Sequence, residues 1–251
     1  MEIESRRSFN KTMLGSLLAY GLIETLSAGD LFAAAVKPVL AKWLRELVEL
    51  SHDLKEHKLK DIDFQAKLEA LYKRVDLAEL VRFADLDRLA EQVKYPARGA
   101  ANLGLDLSKV EGLPKRLVFG KQIFACKKGR SIVPHGHDNM ATGFIVLRGD
   151  WHGRHYDRVE DNGDHYLIKP TIDRAFKPGE CSTISDHKDN VHWFKADSET
   201  AFIFNIHVMG YNLESKKSAA RVYVDPDGDK TADGLIVAKK ISSAECHKKY
   251  G

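Results

Sequence analysis

The chain has 251 residues, of which 43% are hydrophobic and 30% charged, and its formal net charge is +3. This length suits one substantial domain with an appendage. The small net charge, with Lys and Arg scattered along the chain, indicates no nucleic-acid partner. The three cysteines are far apart and show no C-x-x-C spacing, so the sequence predicts neither a zinc knuckle nor a disulfide framework. Cys246 lies in a charged segment, and we expect it to be exposed.

Residues 1–35 have the pattern of an export signal. Arg6 and Arg7 lie in a Ser-Arg-Arg-Ser-Phe context that resembles the twin-arginine signal. An apolar run at 13–23 follows, too short for a comfortable membrane span, and small residues at 33–35 offer a cleavage site. We therefore predict a periplasmic protein that uses the twin-arginine export machinery and keeps no membrane span once the signal is cleaved. The alternative is a cytoplasmic protein with a basic, helical N-terminus.

Residues 36–104 are predicted to form a helical lobe, because apolar residues recur there at helical spacing and charged residues fill the opposite faces. Asp76 and Asp85 stand at the expected N-cap positions of the last two helices. The four apolar stripes run from Leu40 to Leu54, from Phe64 to Tyr72, from Leu77 to Ala84 and from Leu86 to Val93.

Residues 105–251 have a different pattern, with short β-rich runs separated by Gly, Pro, Asn and Asp. Pairs such as Asn162-Gly163 and Pro178-Gly179 predict turns. Many short strands at this spacing favour an antiparallel β-barrel or jelly roll, so the predicted fold class is α+β, a helical segment followed by a barrel. The predicted strands are 116–120, 122–126, 143–147, 164–168, 202–207 and 221–224.

Two histidines in this region predict a metal site. His135 and His137 are two positions apart, and on a strand their rings point to the same face. A third imidazole from a distant strand would complete a facial set and leave metal positions open for other ligands. His192 is the favoured third ligand because its neighbours are strand-like, and His187, in a polar loop, is the alternative.

The histidine segments also carry a family resemblance. The segment 129–149, with His135-x-His137 inside it, is similar to the first motif of the cupin superfamily, with Thr142 where many cupins have a glutamate ligand. Its Pro-x-His-x-His start, together with Asn-Val-His-Trp-Phe at 190–194, resembles the thiol dioxygenases of the plant cysteine oxidase and cysteamine dioxygenase group. The resemblance implies a cupin barrel with a three-histidine metal site.

That resemblance also implies a chemistry. Three imidazoles are neutral, so the bound metal keeps its full charge and can bind an anionic substrate such as a thiolate, together with O2. The family favours Fe2+, with Ni2+, Mn2+ and Zn2+ as alternatives because imidazole suits many metals. The expected reaction oxidises a small-molecule thiol to a sulfinate. The implied catalytic residues are Asn205 and Tyr211, and the expected substrate contacts are Met140, Tyr156 and His207.

Two departures from the family leave the substrate open. Asp138 replaces the proline that follows the second metal histidine, and Asn205 stands where the family has an acid, so it cannot act as a base. His207 shares strand parity with Asn205 and either faces the cavity or is a core histidine. A non-catalytic cupin that binds a ligand or metal, and a three-histidine cupin acting on a non-thiol substrate, are the other hypotheses.

Overall fold

The computed structural model describes residues 38–108 and 110–251. The predicted signal at 1–35, and with it the predicted export route, lies outside these residues. Among the described residues, no helix combines the length and apolar character that crossing a membrane requires. The helices are α1 (residues 38–55), α2 (Asp61–Tyr72), α3 (Leu77–Phe83), α4 (Leu86–Gln92) and α5 (Ser243–Tyr250).

The first four helices match the four predicted apolar stripes, but their caps differ. Asp76 caps α3, since its side chain accepts a hydrogen bond from the backbone N–H of Glu79. Asp85 precedes α4 with a left-handed φ of 50° and caps nothing. Asp85 thus occupies the predicted N-cap position, but its carboxylate pairs with Arg88 one turn further on and makes no capping hydrogen bond.

Eleven strands follow, all paired antiparallel, in two sheets. One sheet has five strands in the order β1-β2-β9-β4-β7, and the other closes on itself in the order β10-β11-β6-β5-β8-β3. The predicted class, a helical segment followed by an antiparallel jelly-roll barrel, is confirmed. The strands are β1 (Ala101–Leu103), β2 (Gly120–Lys127), β3 (Ser131–Asp138), β4 (Met140–Arg148), β5 (Trp151–Asp161), β6 (His165–Phe176), β7 (Cys181–Ile184), β8 (Val191–Ala196), β9 (Thr200–Met209), β10 (Ala220–Asp225) and β11 (Ile236–Lys240).

The strand prediction at 116–120 is wrong over most of its length, because β2 begins only at Gly120. The sequence patterns predict no strand at β1, β5, β7 or β11, and β1 lies within the segment 36–104 that was predicted to be helical. Strand β5 is rich in His, Arg, Asp and Glu, and only its first half is buried, so its polar composition hides it from a hydrophobic pattern.

The five-stranded sheet is apolar on its outer face and packs against α1 to α4. Along β9 alternate residues such as Phe202 and Phe204 join the core shared with the helices, while Ile203 and Asn205 between them point the other way. Each fully buried aromatic or aliphatic side chain in this layer contributes about 1.5–3 kcal/mol. The helical segment thus covers the back of this sheet.

The inner faces of the two sheets enclose a chamber whose one end is closed by aromatic side chains. Trp151 and Phe176, both essentially unexposed, pack there with Phe144 and Phe194. Towards the other ends of the same strands, polar residues such as Thr142, His155 and His192 replace the aromatic ones.

Helix α5 packs behind β3 and β10. A capping box between Ser242 and Glu245 starts it. Its Cys246 is fully buried and donates to the carbonyl of Pro134, and its Tyr250 ring stacks edge-on against Trp193 at 5.0 Å. The prediction of an exposed Cys246 is therefore wrong, since this charged segment is a helix with one buried face.

Candidate metal centre

Strand β3 carries the first two histidines into the chamber. Its pairing with β8 shifts register between Ile132 and His135, a β-bulge. Because of the bulge, Ile132 joins the aromatic end of the chamber while His135 and His137 also face inward, three and five positions later. Gly136, between them, faces the other side of the strand.

A transverse row of rings crosses four strands at this level. His135 pairs directly with His192 on β8 and with Tyr223 on β10, and His192 pairs with His155 on β5. Directly opposite residues share a face. The ring centroids of His135 and His192 are 4.2 Å apart, and those of Tyr223 and His155 lie 5.9 and 6.2 Å from their neighbours in the row.

Two histidines of this row, His135 and His192, meet His137 at one point. One nitrogen from each of His135, His137 and His192 lies within 4.8 Å of the others, and all three residues are buried. The ring of His137 lies 5.0 Å from that of His135 and 4.8 Å from that of His192. The structure therefore brings together, from two separated segments, the three histidines that the sequence predicts as metal ligands.

The hydrogen bonds of the cluster leave nitrogens free for a metal. The backbone carbonyl of Val133 lies 2.8 Å from His135 Nδ1, and that of Asn190 lies 3.3 Å from His192 Nδ1. A carbonyl can only accept, so these Nδ1 atoms carry the protons and each Nε2 keeps a lone pair. Nε2 of His192 and both ring nitrogens of His137 are buried without a partner. Such unsatisfied buried acceptors fit a metal ion held by three imidazoles.

The electrostatic environment keeps the three rings neutral. Burial holds the pKa of His135, His137 and His192 well below the usual value, and a neighbouring imidazole lowers each pKa further. A metal ligand must be unprotonated. The site therefore offers its lone pairs without first having to lose protons at neutral pH.

His155 supports the cluster without belonging to it. Its ring packs against Phe176 and Phe194, at 6.1 and 5.3 Å, and Ser182 Oγ lies 3.3 Å from its nitrogens. Burial lowers the pKa of His155 to about 3. It forms a neutral wall behind His192.

Asn190 connects the two ligand segments. Its side-chain Nδ2 donates to the carbonyl of His137 at 2.8 Å and to that of Ser185 at 2.9 Å, and its Oδ1 accepts from the backbone N–H of His137 at 3.3 Å. Its own carbonyl orients His192. One buried amide thus fixes the second and third histidines relative to each other.

A glycine is needed at position 136, because the side of β3 that faces away from the three histidines is closely packed there. A Cβ at this position would lie 2.8 Å from Asn190 Oδ1, 3.2 Å from a methyl of Val191 and 3.3 Å from the Tyr166 ring, all buried. We expect Gly136→Ala to destabilise the fold by about 1–3 kcal/mol, because the packed neighbours must shift. Urea unfolding followed by circular dichroism measures this loss.

Gly104→Ala is the matched control for that substitution. Nothing lies within 4 Å of a Cβ at Gly104, so the change should stay within about 0.5 kcal/mol. Equal stabilities for the two variants would contradict the close packing behind the His-Gly-His segment.

Of the other predicted site residues, three lie on the chamber side of the five-stranded sheet. Met140 shares a strand face with Phe144, whose ring is 5.4 Å from that of His192. Asn205 is buried, donates to the carbonyl of Gly143 at 3.2 Å and accepts from Gln122 at 3.1 Å. His207 lies over Gly120, where a Cβ would be 2.1 Å from the ring, and its Nδ1 is buried without a partner.

Tyr156 and Tyr211 are not brought to the three histidines. Tyr156 pairs with Val191, the neighbour of His192, and both side chains pack in the separate core inside the second sheet. Adjacent residues on a strand face opposite sides, so His155 faces the chamber and Tyr156 faces away. The hydroxyl of Tyr211 donates to Asp61 Oδ2 at 3.0 Å. The roles assigned to the two tyrosines stay predictions.

His187 takes part in a different contact. Its Nδ1 lies 2.7 Å from Asp61 Oδ2, which also accepts from Tyr211, and the three residues border a cavity of about 420 Å³ beside α2. These bonds, with that of Ser185, outweigh burial and lower the pKa of Asp61. The network joins the start of α2 to the loop before β8, so His187 links the helices to the barrel.

Asp138, which replaces the family's proline, lies in an ionic network. Its Oδ1 accepts from Arg158 at 2.6 Å and from Lys217 at 3.2 Å. Lys217 also pairs with Asp161 at 2.6 Å, and Lys240 bonds the same carboxylate. The network fastens the segment after β9 to β3 and β5.

Asp161→Asn should lower stability by about 1 kcal/mol at pH 7, a figure that allows for partial solvent screening. Partial burial raises the pKa of Asp161, but the bonds from Lys217 and Lys240 outweigh it and hold the pKa at about 2. A depressed folded-state pKa stabilises the fold above the ordinary value of about 3.9, and this contribution disappears as the pH falls through about 2. Urea unfolding of both proteins from pH 7 to pH 2 measures the difference.

Glu160→Gln, at the exposed neighbouring position, is the control and should follow the wild type at every pH. A stability difference for Asp161→Asn that persists undiminished to pH 2 would contradict the ionic explanation.

Comparison with known proteins yields only distant structural similarity. No protein-family model matches the sequence, and no curated protein does. Solved structures that match include a Klebsiella pneumoniae protein with a double-stranded β-helix domain, 14% identical over 53% of this chain and 86% of that one, with a TM-score of 0.34.

Two further structures are similar at the same level. A cupin superfamily protein from Desulfitobacterium hafniense is 12% identical over 48% of this chain and 87% of that one, with a TM-score of 0.32. An oxalate oxidase in complex with glycolate is 19% identical over 51% of this chain, with a TM-score of 0.36, and the match spans 56% of the oxidase. At these low similarities the fold assignment rests on the strand pairing and the site on its own geometry.

Proposed function

We propose that the protein is an Fe2+-dependent dioxygenase that oxidises a small thiol to a sulfinate, with His135, His137 and His192 as the metal ligands. The observation that carries the proposal is the convergence of three neutral, buried imidazoles with no carboxylate among them. The sequence resemblance to thiol dioxygenases supplies the choice of iron and thiol.

The proposed reaction takes one thiol and one O2 and gives one sulfinic acid, so that both oxygen atoms end on sulfur and the S–H proton is transferred to the product. A bound ferrous ion would supply the one-electron chemistry that allows dioxygen to react with a thiolate. The protein's own contribution is a ligand set without charge, which leaves the site electropositive and favours the thiolate over the thiol.

The aromatic end of the chamber limits access from one side. Phe144, Phe176 and Phe194 pack around His192 and His155 there and make that end apolar. Substrate therefore enters from the opposite end, past Met140 and His207. A water-poor wall on one side strengthens the electrostatic interactions of the site.

Elemental analysis tests the metal. Protein purified without added metal should contain near-stoichiometric iron, and imidazole ligands alone would also accept Ni2+, Mn2+ or Zn2+. Zinc or nickel as the native metal would contradict the iron proposal and favour the non-thiol or binding-only hypotheses.

Oxygen uptake tests the reaction. In the presence of Fe2+ the protein should consume O2 with a small thiol, and mass spectrometry should find the intact thiol with two added oxygen atoms. Uptake with a product of any other composition would point to a different substrate class. Ligand binding without uptake would support the non-catalytic alternative.

Export by the twin-arginine route is a separate proposal that rests on the sequence alone. Replacing Arg6 and Arg7 with lysine should retain the protein in the cytoplasm, as fractionation of expressing cells would measure. Periplasmic localisation that survives this change would contradict it, and the cytoplasmic alternative predicts no difference between the two proteins.

A further inference from the structure

The rim of the chamber beside the three histidines carries one arginine. Arg221 on β10 pairs directly with His137 on β3, one step along from the pair of Tyr223 and His135. Directly opposite residues lie on one face with Cβ atoms about 5 Å apart. Arg221 therefore projects on the same side of the sheet as the metal ligands, and it is exposed to solvent.

The charge of Arg221 acts on imidazoles from both sheets. It lowers the pKa of His135, His137 and His192, although less than burial does, and it lowers the pKa of His207 across the chamber on β9. Arg221 is thus within electrostatic reach of imidazoles on both sheets.

This charge is not neutralised within the described part of the chain. No carboxylate there lies within ion-pair distance of Arg221, whereas the nearby cations Arg158 and Lys217 are both bound to Asp138. The neighbouring positions in the chamber are His, Tyr, Asn and Thr, which are neutral. An unpaired guanidinium beside a metal site attracts an anionic group, and its planar donors match a carboxylate.

We infer that Arg221 anchors a carboxylate, or a similar oxyanion, of the substrate while another atom of that substrate reaches the three-histidine site. This deepens the proposed function and rests on it, by naming the substrate class as a small thiol that carries an acidic group. A substrate whose second group is an amine is disfavoured, because it would bring like charges together at the rim.

Three thiols of similar length test the inference. The probes are 3-mercaptopropionate, which carries a carboxylate, 2-mercaptoethanol, which is uncharged, and cysteamine, which carries an amine. Binding is measured without turnover, under argon, from the visible spectrum of the Co2+-loaded protein. We expect 3-mercaptopropionate to bind about 10- to 100-fold more tightly than 2-mercaptoethanol, as for a charge-assisted hydrogen bond, and cysteamine to bind most weakly.

Variants of Arg221 assign the preference to the guanidinium. Arg221→Gln should remove the carboxylate preference, and Arg221→Lys should restore part of it, because lysine keeps the charge without the planar donors. Arg221→Gln should also bind Co2+ severalfold more tightly, since a repelling charge is lost, a change that a purely structural residue would not produce. Arg130→Gln, roughly 20 Å away along β3, is the charge-matched control and should behave as wild type.

The outcomes separate this inference from the proposed function. Wild-type protein that fails to bind Co2+ would overturn both. Metal binding with equal affinity for the three thiols, or a preference that survives in Arg221→Gln, would overturn the anchor alone. If no thiol binds, the thiol chemistry is wrong, and lactate against lactamide then decides the anchor by the same comparison in wild type and Arg221→Gln.

Discussion

Replacing His192 with alanine is expected to lower the affinity for Fe2+, Co2+ or Zn2+ by more than about a hundredfold, since even the outer partners of metal ligands are worth about 10- to 100-fold. His192 lies at the centre of the site, paired with His135 on one side and His155 on the other. Its loss leaves two ligands on a single strand. Calorimetric titration with metal measures the affinity, and oxygen uptake should fall with it.

The control for this prediction is His187→Ala. The His187 side chain is 63% exposed and bonds to Asp61, so its removal should leave metal affinity within about twofold of wild type. Circular dichroism shows whether His192→Ala keeps its strands. A folded His192→Ala protein that binds metal normally, or a His187→Ala protein that does not, would contradict the assigned ligand set.

Asn190→Ala is expected to affect stability and metal binding together. The substitution removes the hydrogen bonds of Asn190 to the buried N–H and carbonyl of His137 and to the carbonyl of Ser185, leaving the His137 carbonyl with Arg158 at 3.2 Å, and should cost about 2–4 kcal/mol. It also frees the ligand segments to move apart, so metal affinity should fall by about 10- to 100-fold. Urea unfolding and metal titration measure the two effects.

Asn102→Ala, at an exposed position on β1, is the matched substitution and should change neither quantity appreciably. Unchanged metal affinity in Asn190→Ala, despite lower stability, would mean that Asn190 supports the barrel without positioning the ligands. The two measurements therefore distinguish its structural from its positioning role.

The helices and the ligand pair of His135 and His137 can be predicted from the sequence, because both depend on periodicity over a few residues. The apolar stripes of α1 to α4 repeat within one turn, and the alternation that places His135 and His137 on one face needs only three consecutive residues. The prediction of His192 as the third ligand combines the strand-like character of its neighbours with a family motif. These parts of the structure require no knowledge of which strands are neighbours.

The remainder of the site depends on strand register, which the sequence pattern does not contain. Whether His155 or Tyr156 faces the chamber is decided by the pairing of β5 with β8. Arg221 was part of a predicted strand, but its place beside His137 follows from the pairing of β10 with β3, which are far apart in sequence. The sequence shows Asn190 only as part of a motif, because its role depends on reaching the backbone of His137.

Helix α5 has a consequence for the order of events in the cell. Its contact with the back of β3, between Cys246 and Pro134, joins residues 112 positions apart. A ribosome adds about 5–20 residues per second, so roughly 5–20 s separate synthesis of the first ligand strand from that of its support. An ion bound before α5 docks would be held by a barrel that still lacks the support of this helix. The helix that supports the first ligand strand therefore docks only once the last residues of the chain have been synthesised.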